Sequence, residues 1–126
     1  MKRAALILVL AALTTAMAGA QSAEIRVLLA NHPYGELLKT AIPEFEQATG
    51  IKVNVESLQE SQLTTKLTTE FATNSSSADV FMTRPLQEGK MFYKNGWYAA
   101  LAGYDFSDFP KNAMNAASFG TKTYLV

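Results

Sequence analysis

The sequence has no cysteine, only one histidine and no excess of charge of either sign. Without cysteine the chain can form neither a disulfide nor a lipid-modified cysteine, so its stability depends on an ordinary hydrophobic core. The 11 basic residues are matched by 11 acidic ones, whereas a surface that binds nucleic acid usually shows a basic excess or stripe. A disulfide scaffold and a nucleic-acid partner are therefore not expected.

The amino terminus has the pattern of a signal peptide. Lys2 and Arg3 precede an apolar run from Ala4 to Leu13, and the small residues that follow fit the small-x-small cleavage rule. The run is shorter than the ~20 residues that cross a bilayer as a helix. We predict export to the periplasm, with residues 1–20 removed near Ala20 and a mature chain that begins near Gln21.

Three stretches after residue 20 have the pattern of β-strands. The first begins with alternating residues and ends in an apolar run, the second alternates strictly, and the third is a short apolar run. The predicted strands are Glu24–Ala30, Ile51–Val55 and Val80–Met82.

Helical spacing separates these strands. A helix is predicted from Glu36, and Pro43 should kink it or split it into two pieces. The Ser57–Glu60 pair fits a capping box that opens a second helix. A third helix is predicted over Pro85–Lys94, and a further strand starts at Tyr124–Val126.

Alternating strands and helices predict an α/β fold with parallel strands joined by right-handed crossovers. The first and third strands have the composition of strands buried on both faces, so the predicted order is 2-1-3. In that order the loops after these two strands diverge and open a crevice at the carboxyl edge of the sheet. Asn31, His32 and Tyr34 would line one side of this ligand site, and Thr83 and Arg84 the other.

Each of these side chains also has a structural alternative. Arg84 can pair with Glu88 one turn later instead of contacting a ligand. His32 can be a hydrogen-bonding loop residue or a ligand contact, and a metal site is disfavoured because a single histidine supplies too few ligands. Tyr34 can stack on a sugar ring or cover the first helix, and Trp97 is interpreted as a core residue. The sequence shows no catalytic triad, phosphate-binding loop or paired-carboxylate motif.

Three segments together resemble the extracellular solute-binding proteins of bacterial ABC importers, family 1: Ala41–Val53, Ser77–Phe81 and Lys94–Trp97. The resemblance implies a periplasmic-binding-protein-like type II fold, in which two α/β lobes joined by a hinge close on a ligand. Members of the family are much longer than this chain. Residues 21–126 would therefore be a partial amino-terminal lobe. In the family the loops after the first and third strands contact the ligand, in agreement with the residues named above.

The resemblance also implies a monomer that captures a small solute, expected to be a sugar, and delivers it to an ABC permease in the inner membrane. No cofactor and no catalysis are implied. Ferric-ion binders of the same superfamily are an alternative, because they carry a histidine in the first loop, as at His32. They place an acidic ligand where this chain has Arg84, and a guanidinium repels a trivalent cation, so iron ranks below a sugar or another polyhydroxylated or anionic solute. A second alternative is an exported hydrolase whose catalytic residues lie beyond Val126.

Overall fold

Two helices alternate with three parallel strands in the first part of the molecule. The computed structural model describes residues 23–126, and the predicted signal peptide lies outside them. The elements are β1 (Glu24–Ala30), α1 (Pro33–Thr49), β2 (Lys52–Leu58), α2 (Glu60–Ala72), β3 (Val80–Phe81), a π-helical turn (Pro85–Gly89), α3 (Lys90–Lys94), α4 (Lys111–Ala117), β4 (Ser118–Phe119) and β5 (Lys122–Thr123). Among residues 23–126, no helix combines the length and the apolarity needed to cross a membrane.

The three-stranded sheet is parallel and has the order β2-β1-β3, which confirms the predicted order 2-1-3. β1 pairs with β2 along its whole length, from Glu24 opposite Lys52 to Ala30 opposite Leu58. It is the central strand because Leu28–Ala30 is apolar on both faces and fully buried. β1 keeps the bounds expected from the sequence.

The third strand is shorter and more exposed than its sequence predicts. β3 contains only Val80 and Phe81, although the Met82 N–H still donates to the Leu28 carbonyl at 2.8 Å. Val80 is 52% exposed, so the expectation that this strand is buried on both faces is wrong. Val80 lies opposite Val27 at the edge of the described sheet, with little packed over its side chain.

Helix α1 starts earlier than predicted and is not split by its internal proline. Pro33 occupies the first turn, where a missing N–H costs no hydrogen bond, so the helix begins there and not at Glu36. The helix then continues through Pro43 to Thr49, because one proline removes a single backbone donor and the rest of the ladder is retained.

Helix α2 is capped by a different residue from the one predicted. β2 runs through Leu58, so Ser57 is still in the strand and the predicted Ser57–Glu60 capping box is wrong. Gln59 is the N-cap, and its backbone N–H donates to Oε1 of Gln62 at 3.4 Å. The Ser57 hydroxyl oxygen is buried and has no hydrogen-bond partner within the described chain.

The core lies on the α2 side of the sheet. Its buried members are Leu28, Ala30, Leu63, Leu67 and Phe92. Partly buried aromatic rings pack around it, so the interpretation of Trp97 as a core residue is confirmed.

The last described segment forms a β-hairpin. β4 and β5 are antiparallel, with Ser118 opposite Thr123, and Gly120 has a positive φ of 63° in the turn between them. The predicted strand at Tyr124–Val126 is wrong, because the strand pairing ends at Thr123. The Tyr124 N–H instead donates to the Ala117 carbonyl at 3.0 Å.

Candidate functional site

The carboxyl ends of the three parallel strands lie at one edge of the sheet. Asn31 and His32 follow β1, Gln59 follows β2, and Thr83 and Arg84 come shortly after β3. This edge is where open α/β sheets bind their ligands. All five predicted site residues therefore lie at this edge of the sheet.

The loop after β1 presents three exposed side chains, Asn31, His32 and Tyr34. His32 is the N-cap of α1, and its Nδ1 accepts the Tyr34 N–H at 3.1 Å, so the predicted loop hydrogen bond is present. The Asn31 N–H donates to the Leu58 carbonyl at 2.7 Å, which fixes the loop to β2. Tyr34 lies in the first turn of α1 and is 47% exposed.

A buried glycine brings α1 close to the end of β1. A Cβ atom on Gly35 would lie 2.6 Å from the carbonyl oxygen of Ala30. That distance is shorter than any real carbon–oxygen contact, and a backbone atom cannot move aside cheaply. Only glycine therefore fits this close approach of the helix to the strand.

The Arg84 guanidinium is held by three side chains. It donates to Glu60 Oε2 through NH1 at 3.2 Å and to Thr64 Oγ1 through NH2 at 3.0 Å. It also donates to Glu88 Oε2 from Nε at 3.2 Å, and NH2 lies 3.1 Å from the same oxygen. The predicted pairing of Arg84 with Glu88 is thus present. We call Arg84, Glu60, Thr64 and Glu88 the Arg84 cluster.

Glu88 is the buried member of the cluster, with a side chain only 6% exposed. Its Oε1 accepts the backbone N–H of Arg84 at 2.8 Å and lies 3.2 Å from the Thr83 hydroxyl. Glu88 lies in the π-helical turn, where the wider backbone ring lets the Gly89 N–H donate to the Arg84 carbonyl five residues earlier, at 3.3 Å. This turn brings the Glu88 side chain back toward Thr83 and Arg84. Short π-helical segments occur frequently at functional sites.

Thr83 is held from its other side by Tyr98. The two hydroxyl oxygens are 2.9 Å apart, and the Tyr98 ring stacks on Phe81 at a centroid distance of 6.0 Å. Burial raises the pKa of Tyr98 above its ordinary value of 10.0, and the hydrogen bond with Thr83 partly opposes that increase. Thr83 is thus fixed to the core of the domain.

A shallow depression that is open to solvent lies over the Arg84 cluster. Its lining residues are Ala30, Glu60, Leu63, Thr64, Met82, Thr83, Arg84 and Glu88. Of the predicted site residues, it brings together Thr83 and Arg84 but not Asn31, His32 or Tyr34. The depression encloses only about 10 Å³, whereas pockets that enclose a small molecule usually measure ~300–1,000 Å³, so it can form only part of a binding site.

Glu60 and Thr64 line the depression but are not among the residues predicted from the sequence. From the sequence, Glu60 is interpreted only as part of a capping box, and Thr64 belongs to no motif. The usable signal was their position, because the first turn of α2 follows a strand and lies at the same edge as the β3 loop. Strand order combined with this position places them at the same edge as Arg84, although it does not predict the contact.

The arrangement offers hydrogen-bond donors and acceptors but no metal centre. Among residues 23–126, no group of three or more His, Cys, Asp or Glu side chains could hold a metal ion. Two carboxylates and one guanidinium face the depression with two hydroxyl groups. Such a set can exchange hydrogen bonds with the hydroxyl groups of a solute.

A parallel α/β sheet with a polar depression at its carboxyl edge is the arrangement in which open α/β folds bind ligands. The family model of the bacterial extracellular solute-binding proteins matches residues 30–126. The match covers most of the chain, and the chain therefore belongs to this family. The family recognised in the sequence is confirmed.

One curated relative agrees with the family, and the matched segment is a small part of its length. An erythritol/L-threitol-binding protein of Mycolicibacterium smegmatis is 38% identical over 63 residues, which are 50% of this chain and 13% of that protein. The chain therefore spans a small part of the curated relative that it matches.

Three solved structures share the fold, each with a TM-score of 0.70. A solute-binding protein of Agrobacterium vitis with bound D-mannitol is 24% identical, over 80% of this chain and 26% of that one. One from Agrobacterium radiobacter in complex with ribitol is 23% identical, over 81% and 27%. A substrate-binding protein of Listeria monocytogenes in complex with cycloalternan is 27% identical, over 82% and 28%. The predicted periplasmic-binding-protein-like fold class is confirmed, and these neighbours are binding proteins.

Proposed function

We propose that this chain is part of the amino-terminal lobe of a periplasmic solute-binding protein, which captures a small polyhydroxylated solute and delivers it to an ABC permease in the inner membrane. The observation that carries the proposal is the Arg84 cluster, a set of hydrogen-bonding groups at the carboxyl edge of a sheet in a member of this family. The mannitol, ribitol and erythritol or threitol named for its relatives support a polyol or a sugar as the solute.

The binding wall in this proposal has two parts. Asn31, His32 and Tyr34 form the first, where the exposed Tyr34 ring can stack on the apolar face of a sugar. Thr83 and Arg84 form the second, in the depression beside α2. The protein acts by binding alone, as a monomer without cofactor or catalysis.

A second lobe would supply the opposing wall. The chain covers 26–28% of the solved neighbours, and its depression, with an enclosed volume of about 10 Å³, is too shallow to enclose a solute. We therefore expect residues 21–126 alone to bind polyols at least about a hundredfold more weakly than the intact protein, since one wall buries a solute on one side only. Equal affinities would show that one lobe suffices.

Calorimetric titration of the intact protein with mannitol, ribitol, erythritol and glucose tests the proposed function, with ferric citrate as the metal probe. We expect micromolar binding of at least one polyol or sugar and no heat with ferric ion. Binding of ferric ion without any sugar or polyol would replace the proposal with the iron-binding alternative. Binding of none of them would reject capture of a polyol or sugar.

Export is tested separately. We propose that residues 1–20 are a signal peptide, so the periplasmic protein should have a new amino terminus near Gln21. An intact Met1 in the cytoplasmic fraction would contradict this.

A further inference from the structure

The charge of Arg84 is already compensated within the protein. An arginine at the carboxyl edge of a sheet is well suited to hold an anionic solute, because its guanidinium forms bidentate bonds to carboxylates and phosphates. Here NH1 donates a hydrogen bond to Glu60, and Nε donates one to Glu88. NH2 also forms an ion pair with Glu88. One positive and two negative charges lie within this group, so the site offers no unpaired cation to an anion.

The two carboxylates have different surroundings. Glu88 is 6% exposed, and both its oxygens accept bonds from the protein, which makes it part of the scaffold. Glu60 is 43% exposed and lines the depression. In the contacts of residues 23–126 its Oε2 is bonded to Arg84, and Oε1 receives no protein hydrogen bond. Glu60 therefore has an acceptor free for a solute.

We propose that Glu60 contacts the solute directly and makes the site select neutral polyols over anionic ones, an inference that rests on the proposed function. Oε1 of Glu60 accepts a solute hydroxyl, while the Arg84 guanidinium beside it donates to a neighbouring hydroxyl oxygen. A phosphate or carboxylate on the solute would instead lie next to Glu60 and be repelled. Glu88 is a positioning residue that holds Arg84 and takes no part in the contact.

The experiment compares Glu60→Gln with wild type in the intact protein. Ribitol and mannitol are titrated as neutral probes, and ribonate and mannonate as anionic analogues of similar size. Gln keeps the volume and one acceptor but removes the charge. Glu44→Gln on the exposed surface of α1 is the matched control.

We expect wild type to prefer the neutral probes by about tenfold or more, since the loss of a charged hydrogen bond costs at least this factor. Glu60→Gln should weaken neutral binding about tenfold and move the neutral-to-anionic ratio toward the anions, while Glu44→Gln should change neither. Circular dichroism checks that both variants are folded.

Two results would overturn the inference, and they differ in what else they reject. If wild type binds polyols and Glu60→Gln leaves both the affinity and the ratio unchanged, only the role of Glu60 is wrong. If wild type binds neither class of probe, the proposed function is wrong as well.

Discussion

The hydroxyl oxygens of Thr83 and Tyr98 lie 2.9 Å apart, although the two residues are 15 positions apart in the chain. Oε1 of Glu88 lies 3.2 Å from the same Thr83 oxygen. A residue predicted to contact ligand is thus held from two sides by the scaffold. The position of the β3 loop consequently depends on a chain segment that lies well after it.

Removing the Tyr98 hydroxyl should loosen this loop. We expect Tyr98→Phe to lower the free energy of unfolding by about 1 kcal/mol, the usual net value of one hydrogen bond. Urea unfolding at neutral pH measures this change. Tyr104→Phe, at an exposed position, should have no effect and serves as the control.

The difference in stability between Tyr98→Phe and wild type should depend on pH in the alkaline range. Burial raises the pKa of Tyr98 above 10.0, so the folded state retains a proton that the unfolded state loses. The contribution of Tyr98 to the free energy of unfolding is fully present below about pH 10, the unfolded-state pKa. It is lost as the pH rises through the higher folded-state pKa. Tyr98→Phe lacks this loss, so its difference in stability from wild type should shrink as the pH rises above about 10. A constant difference would contradict the assignment.

Arg84 should matter for both binding and stability. We expect Arg84→Ala to reduce polyol affinity more than tenfold and to destabilise the intact protein by about 1–3 kcal/mol, because the buried Glu88 loses a charged partner. Calorimetric titration and urea unfolding give the two values. Arg26→Ala, at an exposed position of β1, is the matched control. Lower stability with unchanged affinity would leave Arg84 with a structural role only.

The close approach at Gly35 predicts that a larger residue at this position lowers the stability of the protein. We expect Gly35→Ala to cost about 1–3 kcal/mol, because the new methyl group would lie 2.6 Å from the Ala30 carbonyl oxygen and must push α1 away. Thermal unfolding measures the cost. Gln47→Ala on the exposed surface of the same helix should be neutral or slightly stabilising. A neutral Gly35→Ala would show that α1 moves freely.

Glu70 predicts part of the acid dependence of stability. Its carboxylate accepts from Lys66 at 2.9 Å and from the Ser77 N–H at 3.0 Å, and these bonds lower its pKa below 4.5. A depressed folded-state pKa stabilises the protein above about pH 4.5, and this contribution is lost as the pH falls through the folded-state value.

We therefore expect Glu70→Gln to be about 1 kcal/mol less stable than wild type at neutral pH, with the gap closing on acidification. Urea unfolding at a series of pH values from about 7 to about 3 measures it. Asp108→Asn, in an exposed loop, is the control. If the difference in stability between Glu70→Gln and wild type persists at acid pH, packing and not charge explains the effect.

The fold was predictable wherever a periodic pattern decided the structure. β1 carries a buried apolar run and was found with its full bounds, and the contrast with alternating β2 gave the strand order. The predictions were wrong where contacts between distant parts of the chain determine the local structure. Ser57 stays extended because β2 continues pairing with β1, and Val80 is exposed because little packs over it at the edge of the described sheet.

The position of Thr83 and Arg84 at the carboxyl edge of the sheet was predictable, but the contacts of their side chains were not. Arg84 and Glu88 are one helical turn apart, so their pairing could be anticipated. Glu60 and Thr64 are 24 and 20 positions away from Arg84, and only the folded chain brings them together. Sequence spacing carries no information on contacts of that kind.

The aromatic packing connects the site to the hairpin. Phe81 stacks on Tyr98 with 11° between the ring planes, Tyr98 on Phe119 with 20°, and Phe119 on Tyr93 with 8°. Close-packed rings transmit displacement because they leave no free volume to absorb it. A solute that shifts Thr83 should therefore shift β4, so a fluorophore attached at the exposed Lys122 would report occupancy without touching the solute.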